Sequence, residues 1–418
     1  MADLRVAPAP ATGLAARLRD PVVHLIAAQL LMGLVALAAN VMMVRTLDPA
    51  HRGEVALLLQ VVYLASQGLL LGTERSFVAA YHEVPPAAAI RAYARLLVVP
   101  CGVGVAVVAG YAALAPPRLD PGPLVLALIA AFALVEAAGL ATRSIAIAVG
   151  RAQDFLTCRV VETVLLLGGM TALFLAGATR PEAWLLAYLL AGALPTAGFV
   201  AYWLRRPAQQ ADRPVDDRNR LVRRQGLALF PAALSNMAML RSDRLALPAL
   251  ASTTALGLYA AVATMTELLA WPLRAYADSR LGRWRRAHRE GRLHTRRILA
   301  GSLVFVLAAG PLVAGGLYLL IVPVFGDRYA PARDVVLPLV AAAGLYALSR
   351  VSLGLMVAKG HGALVSAAEI AGFVVSFAAY LLLIPAYGML GAAYGSLLGY
   401  GACLVFALLA DRLPRSAP

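Results

Sequence analysis

Residues Asn236 to Arg280 read NMAMLRSDRLALPALASTTALGLYAAVATMTELLAWPLRAYADSR, two apolar stretches joined by a short polar turn. Charged side chains fall inside these stretches, at Arg241, Asp243, Arg244, Glu267, Arg274 and Asp278. An ionised side chain deep in hydrocarbon costs from about 2.5 to more than 10 kcal/mol, so such groups usually face a partner or a water-filled cavity. The stretch therefore predicts two membrane-spanning helices that border water.

The helical spacing of these charges predicts a polar stripe. One narrow face of the second helix holds Glu267, Trp271, Arg274 and Asp278. Arg274 and Asp278 are also four residues apart, which predicts an ion pair. Arg241 and Arg244 share a face of the preceding helix. Two interpretations remain open, because these charges either neutralise one another and hold helices together or line a cationic cleft for an anionic substrate.

The composition of the whole chain indicates a membrane protein. Of 418 residues, 61% are hydrophobic and 14% are charged, which is typical of integral helical membrane proteins. Apolar stretches of transmembrane length begin near Val22, Glu54, Ala92, Pro123, Leu156, Pro181, Gly226, Leu256, Ile298, Ala332, Ala363 and Gly388. The predicted fold class is therefore an all-α integral membrane protein with twelve transmembrane helices.

The net charge is +15, but the basic residues are distributed as in a membrane protein and do not indicate nucleic-acid binding. Its two arginine-rich segments, 205–224 and 280–297, fall in loops on the same side as the N terminus. The loops on the other side keep only Arg45, Arg52, Arg118, Arg180, Arg328 and Arg333. This asymmetry predicts a multi-pass protein of the cytoplasmic (inner) membrane with both termini in the cytoplasm. Anionic membrane lipids are the expected partners of the basic loops.

A weak internal repeat predicts two halves. Arg143 and Glu162 recur as Arg350 and Glu369 at the same offset of 207 positions (350 minus 143 and 369 minus 162). That offset also carries Gln60 and Gln67 onto the polar positions 267 and 274. Because each half has an even number of spans, the halves share one orientation, and a substrate site is expected between them. We thus predict two six-helix bundles in parallel pseudo-repeat around a central cavity.

The predicted boundaries follow from the repeat and the basic loop. They are a cytoplasmic N-terminal lead at 1–20, a first bundle at 21–204, a basic cytoplasmic linker at 205–225, a second bundle at 226–410 and a cytoplasmic tail at 411–418.

Further polar residues in the spans are candidates for pairing or for lining the cavity. Gln60 and Gln67 form a polar stripe on the second span. The stripe either makes hydrogen bonds to another helix or lines a cavity. Candidate interhelical or cavity charges are Glu136, Arg143, Glu162, Arg350 and Glu369. Of these, Arg143–Glu162 and Arg350–Glu369 are predicted to be interhelical pairs. The cysteines and histidines show no ligand spacing, so neither a metal nor a cofactor is predicted.

Four segments resemble the bacterial polysaccharide (O-antigen) flippases of the multidrug/oligosaccharidyl-lipid/polysaccharide, MATE-like, exporter superfamily. Ser242 to Leu273 is similar to their seventh and eighth spans, and Leu381 to Tyr400 matches the turn between spans eleven and twelve. Val324 to Leu345 is similar to the segment entering span ten, and Arg45 to Leu58 fits the first outward turn. The resemblance extends over roughly Val22 to Leu409.

The resemblance implies a central cavity lined mainly by spans one, two, seven and eight. It implies translocation of an undecaprenyl-diphosphate-linked oligosaccharide from the inner to the outer leaflet by alternating access, for surface polysaccharide biosynthesis. Polysaccharide polymerase and chain-length proteins are further candidate partners. No motif fixes the sugar, and coupling to H⁺, Na⁺ or the membrane potential stays open.

The resemblance and the charges together suggest roles for the residues of Asn236 to Arg280. Arg241, Arg244 and Arg274 would attract the diphosphate, because guanidinium groups suit paired phosphate oxygens. Asp243, Glu267 and Asp278 would hold those arginines in the empty site or bind a coupling cation. Arg45 and Arg52 are candidates to meet the headgroup at the outer mouth, or are solvated charges. Prolines at 231, 248 and 272 are candidate bending points.

Two other function classes compete with a flippase. A cation-coupled exporter of multidrug or organic-cation type belongs to the same superfamily, but its substrates favour exposed carboxylates over the arginines found here. A membrane glycosyltransferase, ligase or polymerase acting on lipid-linked sugars would place catalytic groups in a sizeable outer loop. The candidate outer loops, 115–122 and 326–334, are short, which favours a transporter over an enzyme.

Overall fold

Long apolar stretches of the sequence form long helices in the computed structural model, which describes residues 21–82, 84–114, 122–205 and 215–410. The α-helices are α1 (Pro21–Thr46), α2 (Pro49–Leu70), α3 (Thr73–Ala80), α4 (Pro86–Leu114), α5 (Pro123–Ala148), α6 (Ala152–Leu175), α7 (Pro181–Leu204), α8 (Val215–Leu250), α9 (Thr253–Thr266), α10 (Trp271–Arg289), α11 (Thr295–Leu320), α12 (Val336–Ala358), α13 (Gly362–Tyr387) and α14 (Met389–Ala410). The predicted N-terminal lead and C-terminal tail lie outside the described residues.

These helices make twelve long units, which confirms the predicted all-α membrane fold. The short α3 follows α2, and a 3-10 turn at Glu267–Ala270 joins α9 and α10 into one interrupted unit. A π turn at Ile321–Phe325 and a 3-10 segment at Asp327–Val335 connect α11 to α12. Within the described residues, ten helical stretches are long and apolar enough to cross a membrane, and the part of α1 at Met32–Thr46 is a shorter apolar stretch.

Each half of the chain packs around its own aromatic and aliphatic core. In the first half, α1 to α7, the tryptophans Trp184 and Trp203 are fully buried. In the second half, α8 to α14, Tyr259 and Tyr380 are fully buried. Large aromatic side chains make extensive van der Waals contacts when buried, which stabilises the packing within each half.

The junction between the halves differs from the predicted boundary, because α8 begins at Val215 and residues 215–225 of the expected linker are helical. This extension packs against α3 and α4 of the first half. The Tyr81 hydroxyl donates to Asn219 Oδ1 (2.7 Å), and Asn219 Nδ2 donates to the Ala92 carbonyl (3.2 Å). These hydrogen bonds and this packing keep residues 215–225 helical, although their charge predicts a loop.

The halves meet tightly at one end of the bundle, where α2 begins at Pro49 and α9 begins at Thr253; we name this the closed end. A Cβ on Gly53 would lie 1.9 Å from the Thr253 carbonyl oxygen, and one on Gly257 would lie 1.7 Å from that of Pro49. Only glycine at both positions allows the two helix backbones to approach so closely.

The opposite end, which we name the open end, is less tightly joined around α10. This helix packs on α12 of its own half. Its other face exposes Arg274, Tyr276 and Asp278. Charged residues at this position would be costly against lipid, so this face of α10 borders water.

Candidate functional site

The break between α9 and α10 positions the acidic side chain of the site. Pro272 in the first turn of α10 has no N–H to donate to the preceding turn, which breaks the regular helical hydrogen bonding there. The chain tightens into a 3-10 turn in which the Trp271 N–H donates to the Leu268 carbonyl. Glu267 begins this turn and faces α8.

Two arginines of α8 converge on Glu267. Arg244 Nη2 donates to Glu267 Oε1 in a short charge-assisted bond, and Arg241 Nη1 lies 3.7 Å from the same oxygen. The guanidinium of Arg241 also lies over the ring of Tyr63 in α2, 5.8 Å from its centroid. Since Tyr63 belongs to the first half, this cation–π contact spans the two halves. We name Arg241, Arg244, Glu267 and Tyr63 the polar cluster.

Access to the polar cluster decreases from its acid to its arginines. The side chain of Glu267 is 38% exposed, that of Arg241 is 25% exposed and that of Arg244 is 6% exposed. The carboxylate therefore meets the water first, while Arg244 depends on Glu267 for its charge compensation.

Asp243 faces away from the arginines, into the second half. The Tyr259 hydroxyl donates to Asp243 Oδ2 (2.6 Å), and the Arg244 backbone N–H donates to Oδ1 (2.8 Å). The network continues to Ser396, whose Oγ lies 2.9 Å from the Tyr380 hydroxyl and 3.4 Å from that of Tyr259. Asp243 thus makes no salt bridge to an arginine side chain within the described residues, because neighbouring residues of a helix project about 100° apart, and its expected binding of a coupling cation stays a prediction.

Arg274 and Asp278 lie on the exposed face of α10 at the open end. The predicted ion pair between them is not among the salt bridges of the described residues. An exposed pair contributes about 0.2–1 kcal/mol at most, too little to fix two solvated side chains together. Between them and the polar cluster stands Trp271, whose Cζ3 would lie 2.9 Å from a Cβ on Gly33 of α1.

The glutamines of α2 differ in access. Gln60 is 3% exposed, and its Nε2 donates to the Ala56 carbonyl of the same helix (3.4 Å). Gln67, one turn nearer the open end than Tyr63, is half-buried. Of the two, only Gln67 has a side chain that water reaches.

The interhelical charges pair differently in the two halves. Arg350 Nη1 of α12 donates to Glu369 Oε1 of α13 (2.8 Å), as predicted. In the first half, Glu162 accepts two bonds from Arg159, one turn earlier in α6 (2.8 and 2.7 Å). The predicted Arg143–Glu162 pair is therefore wrong, because the nearer arginine satisfies the carboxylate.

The two remaining charges of this set do not join an ion pair in the described residues. Arg143 is exposed on α5, and Glu136 is half-buried on the same helix.

Sequence reasoning missed the burial of Arg52. This residue was expected in an outward loop, but it lies in α2 and is 3% exposed. Its spacing from the buried positions Ala56 and Gln60 of the same helix, four and eight residues on, was the available signal. The hydroxyls of Tyr259 and Ser396 were missed as well, because nothing in the sequence links them to Asp243.

The site holds no candidate metal centre within the described residues, where no group of three or more His, Cys, Asp and Glu side chains comes together.

Solved structures with the same fold are membrane transporters and a flippase. An inward-facing multidrug resistance MATE family transporter of the MOP superfamily superposes with a TM-score of 0.68 at 16% identity, over 94% of this chain and 98% of that one. The lipid II flippase MurJ in an inward closed conformation gives 0.67 at 10% identity, over 94% and 88%.

An outward-facing MATE family transporter gives 0.63 at 15% identity, over 97% of this chain and 98% of that one. Neither a family model nor a curated protein matches the sequence. At these identities the similarity concerns the fold alone, so this chain has the fold that MATE transporters and the flippase MurJ share.

Proposed function

We propose that this protein is a flippase that moves a lipid-linked oligosaccharide with a diphosphate headgroup, of the undecaprenyl type, from the inner to the outer leaflet of the cytoplasmic membrane. The polyprenyl tail would remain in lipid while the charged headgroup passes between the two halves. A diphosphate cannot cross hydrocarbon unaided, because removing each of its charges from water costs roughly several kcal/mol, as it does for an ion buried in a protein.

The polar cluster is the observation that carries this proposal. It places two guanidinium groups of α8 beside a single carboxylate, at the contact between the halves. Arg274, exposed on α10, would add a third arginine between the open end and the cluster. Guanidinium groups bind phosphate oxygens in a bidentate geometry, which suits a diphosphate better than an organic cation.

Glu267 gives the empty site a way to hold its arginines. In the absence of substrate, Glu267 accepts a hydrogen bond from Arg244 and neutralises one of the two arginine charges of the polar cluster. A diphosphate that enters from the open end offers more negative charge than Glu267, so it competes for the same donors. Headgroup binding then exchanges an internal counter-ion for an external one, which limits the desolvation cost.

Asp243 supports a separate role in energy coupling. It is 4% exposed and lies next to Arg244 in the chain, yet its side chain is bound by Tyr259 in the second half. A cation or proton at this carboxylate would change the charge beside the substrate arginines without occupying the headgroup route.

The test compares two exposed arginines of one helix. Arg274→Ala removes a charge at the cleft, whereas Arg289→Ala removes one from the last turn of α10. Surface polysaccharide is measured in a strain that depends on this protein, with protein level checked in the membrane fraction. We expect Arg274→Ala to reduce export severely and Arg289→Ala to leave it unchanged. Normal export by Arg274→Ala at a normal protein level would contradict the proposal.

A cation-coupled exporter of organic cations is the second candidate, because Glu267 is more exposed than either arginine it binds. Glu267→Gln separates the two functions. An exporter would lose drug efflux in this variant, measured as accumulation of a fluorescent cation in cells. A flippase would show no efflux in either form of the protein.

A further inference from the structure

Arg52 is a buried cation at the closed end that forms no salt bridge within the described residues. Its Nη2 donates to Asn40 Oδ1 (2.8 Å), and no hydrogen-bond acceptor within the described residues meets Nε or Nη1. Asn40 in turn donates from Nδ2 to the Ala261 carbonyl of the second half (3.0 Å). Arg52 therefore sits where the two halves meet.

The electrostatic surroundings of Arg52 do not compensate its charge. Besides Asn40, the polar groups whose charge acts on Arg52 are the hydroxyls of Tyr188 and Tyr329 and the like-charged guanidinium of Arg244, and none of them is a carboxylate. A buried charge without a counter-charge is strongly unfavourable, so such groups are normally paired. Contact with water or with an anion would therefore stabilise the Arg52 guanidinium, which the closed end keeps buried.

Arg45, seven residues earlier, shows the opposite behaviour at the same end. Its Nη2 donates to the Pro323 carbonyl (2.7 Å), and its Nε donates to that of Val324, both in the second half. Arg45 is itself exposed. One arginine therefore holds the halves together, while the other is penalised by their contact.

We propose that Arg52 is a second phosphate-binding residue, covered while the closed end is shut and presented to a phosphate-bearing headgroup when that end opens. The inference rests on the proposed flippase function, but it concerns a different residue and a different conformation from the polar cluster. Arg244 pairs with Glu267 in the polar cluster and repels Arg52 electrostatically, so the two arginines bear like charges in the same buried region.

The test needs a reporter of opening. Leu47 is fully buried at the closed end, where its carbonyl accepts from the Tyr329 hydroxyl, a bond that a side-chain change preserves. We use Leu47→Cys with Cys101→Ala, because Cys158 and Cys403 are buried. The rate of maleimide labelling of the purified full-length protein measures opening. Ala56→Cys, also buried, is a second reporter if Leu47→Cys does not fold.

Two arginine variants should change this rate in opposite directions. Arg52→Met keeps the volume and removes the penalised charge, so labelling should slow by about tenfold, equivalent to about 1.4 kcal/mol. Arg45→Gln removes a contact between the halves, so labelling should become faster. If Arg52→Met labels as fast as the parent or faster, the closed end is not strained at Arg52 and the proposal fails.

Anion binding is tested with inorganic pyrophosphate and with farnesyl diphosphate, each against chloride at equal ionic strength. Pyrophosphate should accelerate labelling of the parent and of Arg274→Ala but not of Arg52→Met. Acceleration by farnesyl diphosphate alone would assign the site to a lipid headgroup, and acceleration by both to any phosphate. Equal acceleration by chloride, or acceleration that persists in Arg52→Met, would overturn the proposal. The polysaccharide test of Arg274 is independent of this result.

Discussion

Asp243 and Arg244 are neighbours in the chain, yet they serve opposite sides of α8. Arg244 reaches Glu267 at the contact between the halves, whereas Asp243 turns into the second half and accepts from Tyr259. Both are nearly fully buried, so each depends on the group it meets. Under the proposed function, α8 would carry a group for the substrate and a group for energy coupling at adjacent positions.

This arrangement predicts different consequences for the two members of the Asp243–Tyr259 bond. Tyr259→Phe leaves a buried carboxylate without its 2.6 Å donor, so unfolding should become easier by about 1–3 kcal/mol. Asp243→Asn keeps an acceptor for Tyr259 and loses only the charge, so stability should change less while transport falls. Thermal unfolding in detergent and polysaccharide export measure the two effects. Unimpaired export by Asp243→Asn would exclude Asp243 from coupling.

The Arg350–Glu369 pair should behave as a structural pair. Glu369 is 7% exposed, so Arg350→Met leaves a buried carboxylate without this cation and should destabilise the protein by on the order of 3 kcal/mol. The double variant Arg350→Met with Glu369→Leu should recover most of that loss, because no charge remains to be compensated. Thermal unfolding of the two single variants and the double variant measures this coupling. Additive losses would contradict it.

The helix face on which each polar residue of the spans lies could be predicted from the sequence, whereas its partner could be predicted for Arg350 and Glu369 but not for Glu162. Helical periodicity placed Glu267, Arg274 and Asp278 on one face of the eighth span. It also placed Arg159 one turn from Glu162, but the pair predicted for Glu162 was with Arg143, whose place Arg159 takes. A residue on the same helix is always within reach, whereas a residue on another helix requires a particular packing that one sequence does not specify.

At the scale of elements, the closest contact between α2 and α9 depends on two glycines. A Cβ at position 257 would lie 1.7 Å from the Pro49 carbonyl oxygen, so Gly257→Ala forces the helices apart. We expect faster labelling of the Leu47→Cys reporter in this variant. Gly68→Ala is the matched control, because a Cβ at Gly68 in α2 meets nothing within 4 Å. An equal effect of both changes would indicate altered helix stability rather than a wedge.

The three prolines expected to be bending points lie in different local structures, and bending at Pro231 and Pro248 stays a prediction. Of the three candidate prolines, Pro272 adjoins the 3-10 turn at Glu267–Ala270, while Pro231 and Pro248 lie inside the continuous α8. Prolines also occur inside α4, α7 and α11. Spanning helices tolerate proline because neighbouring groups and small local adjustments satisfy the freed carbonyls. Proline alone therefore marks a possible bend, and its surroundings decide whether one forms.

At the scale of the whole molecule, the contacts between the halves around α9 and α10 are closest at the closed end and weaken toward α10, whereas α8 also packs closely on α3 and α4 at the other end. The close glycine pair and the Arg45 bonds lie at the closed end, the Arg241–Tyr63 contact follows, and the Gly33–Trp271 contact comes last. This gradient fits a molecule whose halves rock about the site between them, so that one end opens as the other closes.

Rocking predicts that the two ends respond to one substitution with opposite signs. Asp278→Cys, exposed at the open end, should label rapidly in the parent, and Leu47→Cys slowly. Arg45→Gln weakens the closed end, so it should accelerate labelling of Leu47→Cys and retard that of Asp278→Cys, measured in separate proteins lacking Cys101. If the two ends opened independently, labelling of Leu47→Cys would become faster while that of Asp278→Cys stayed the same. Because a substitution shifts a two-state equilibrium by one free-energy difference, reciprocal changes would show that both ends belong to the same conformational transition.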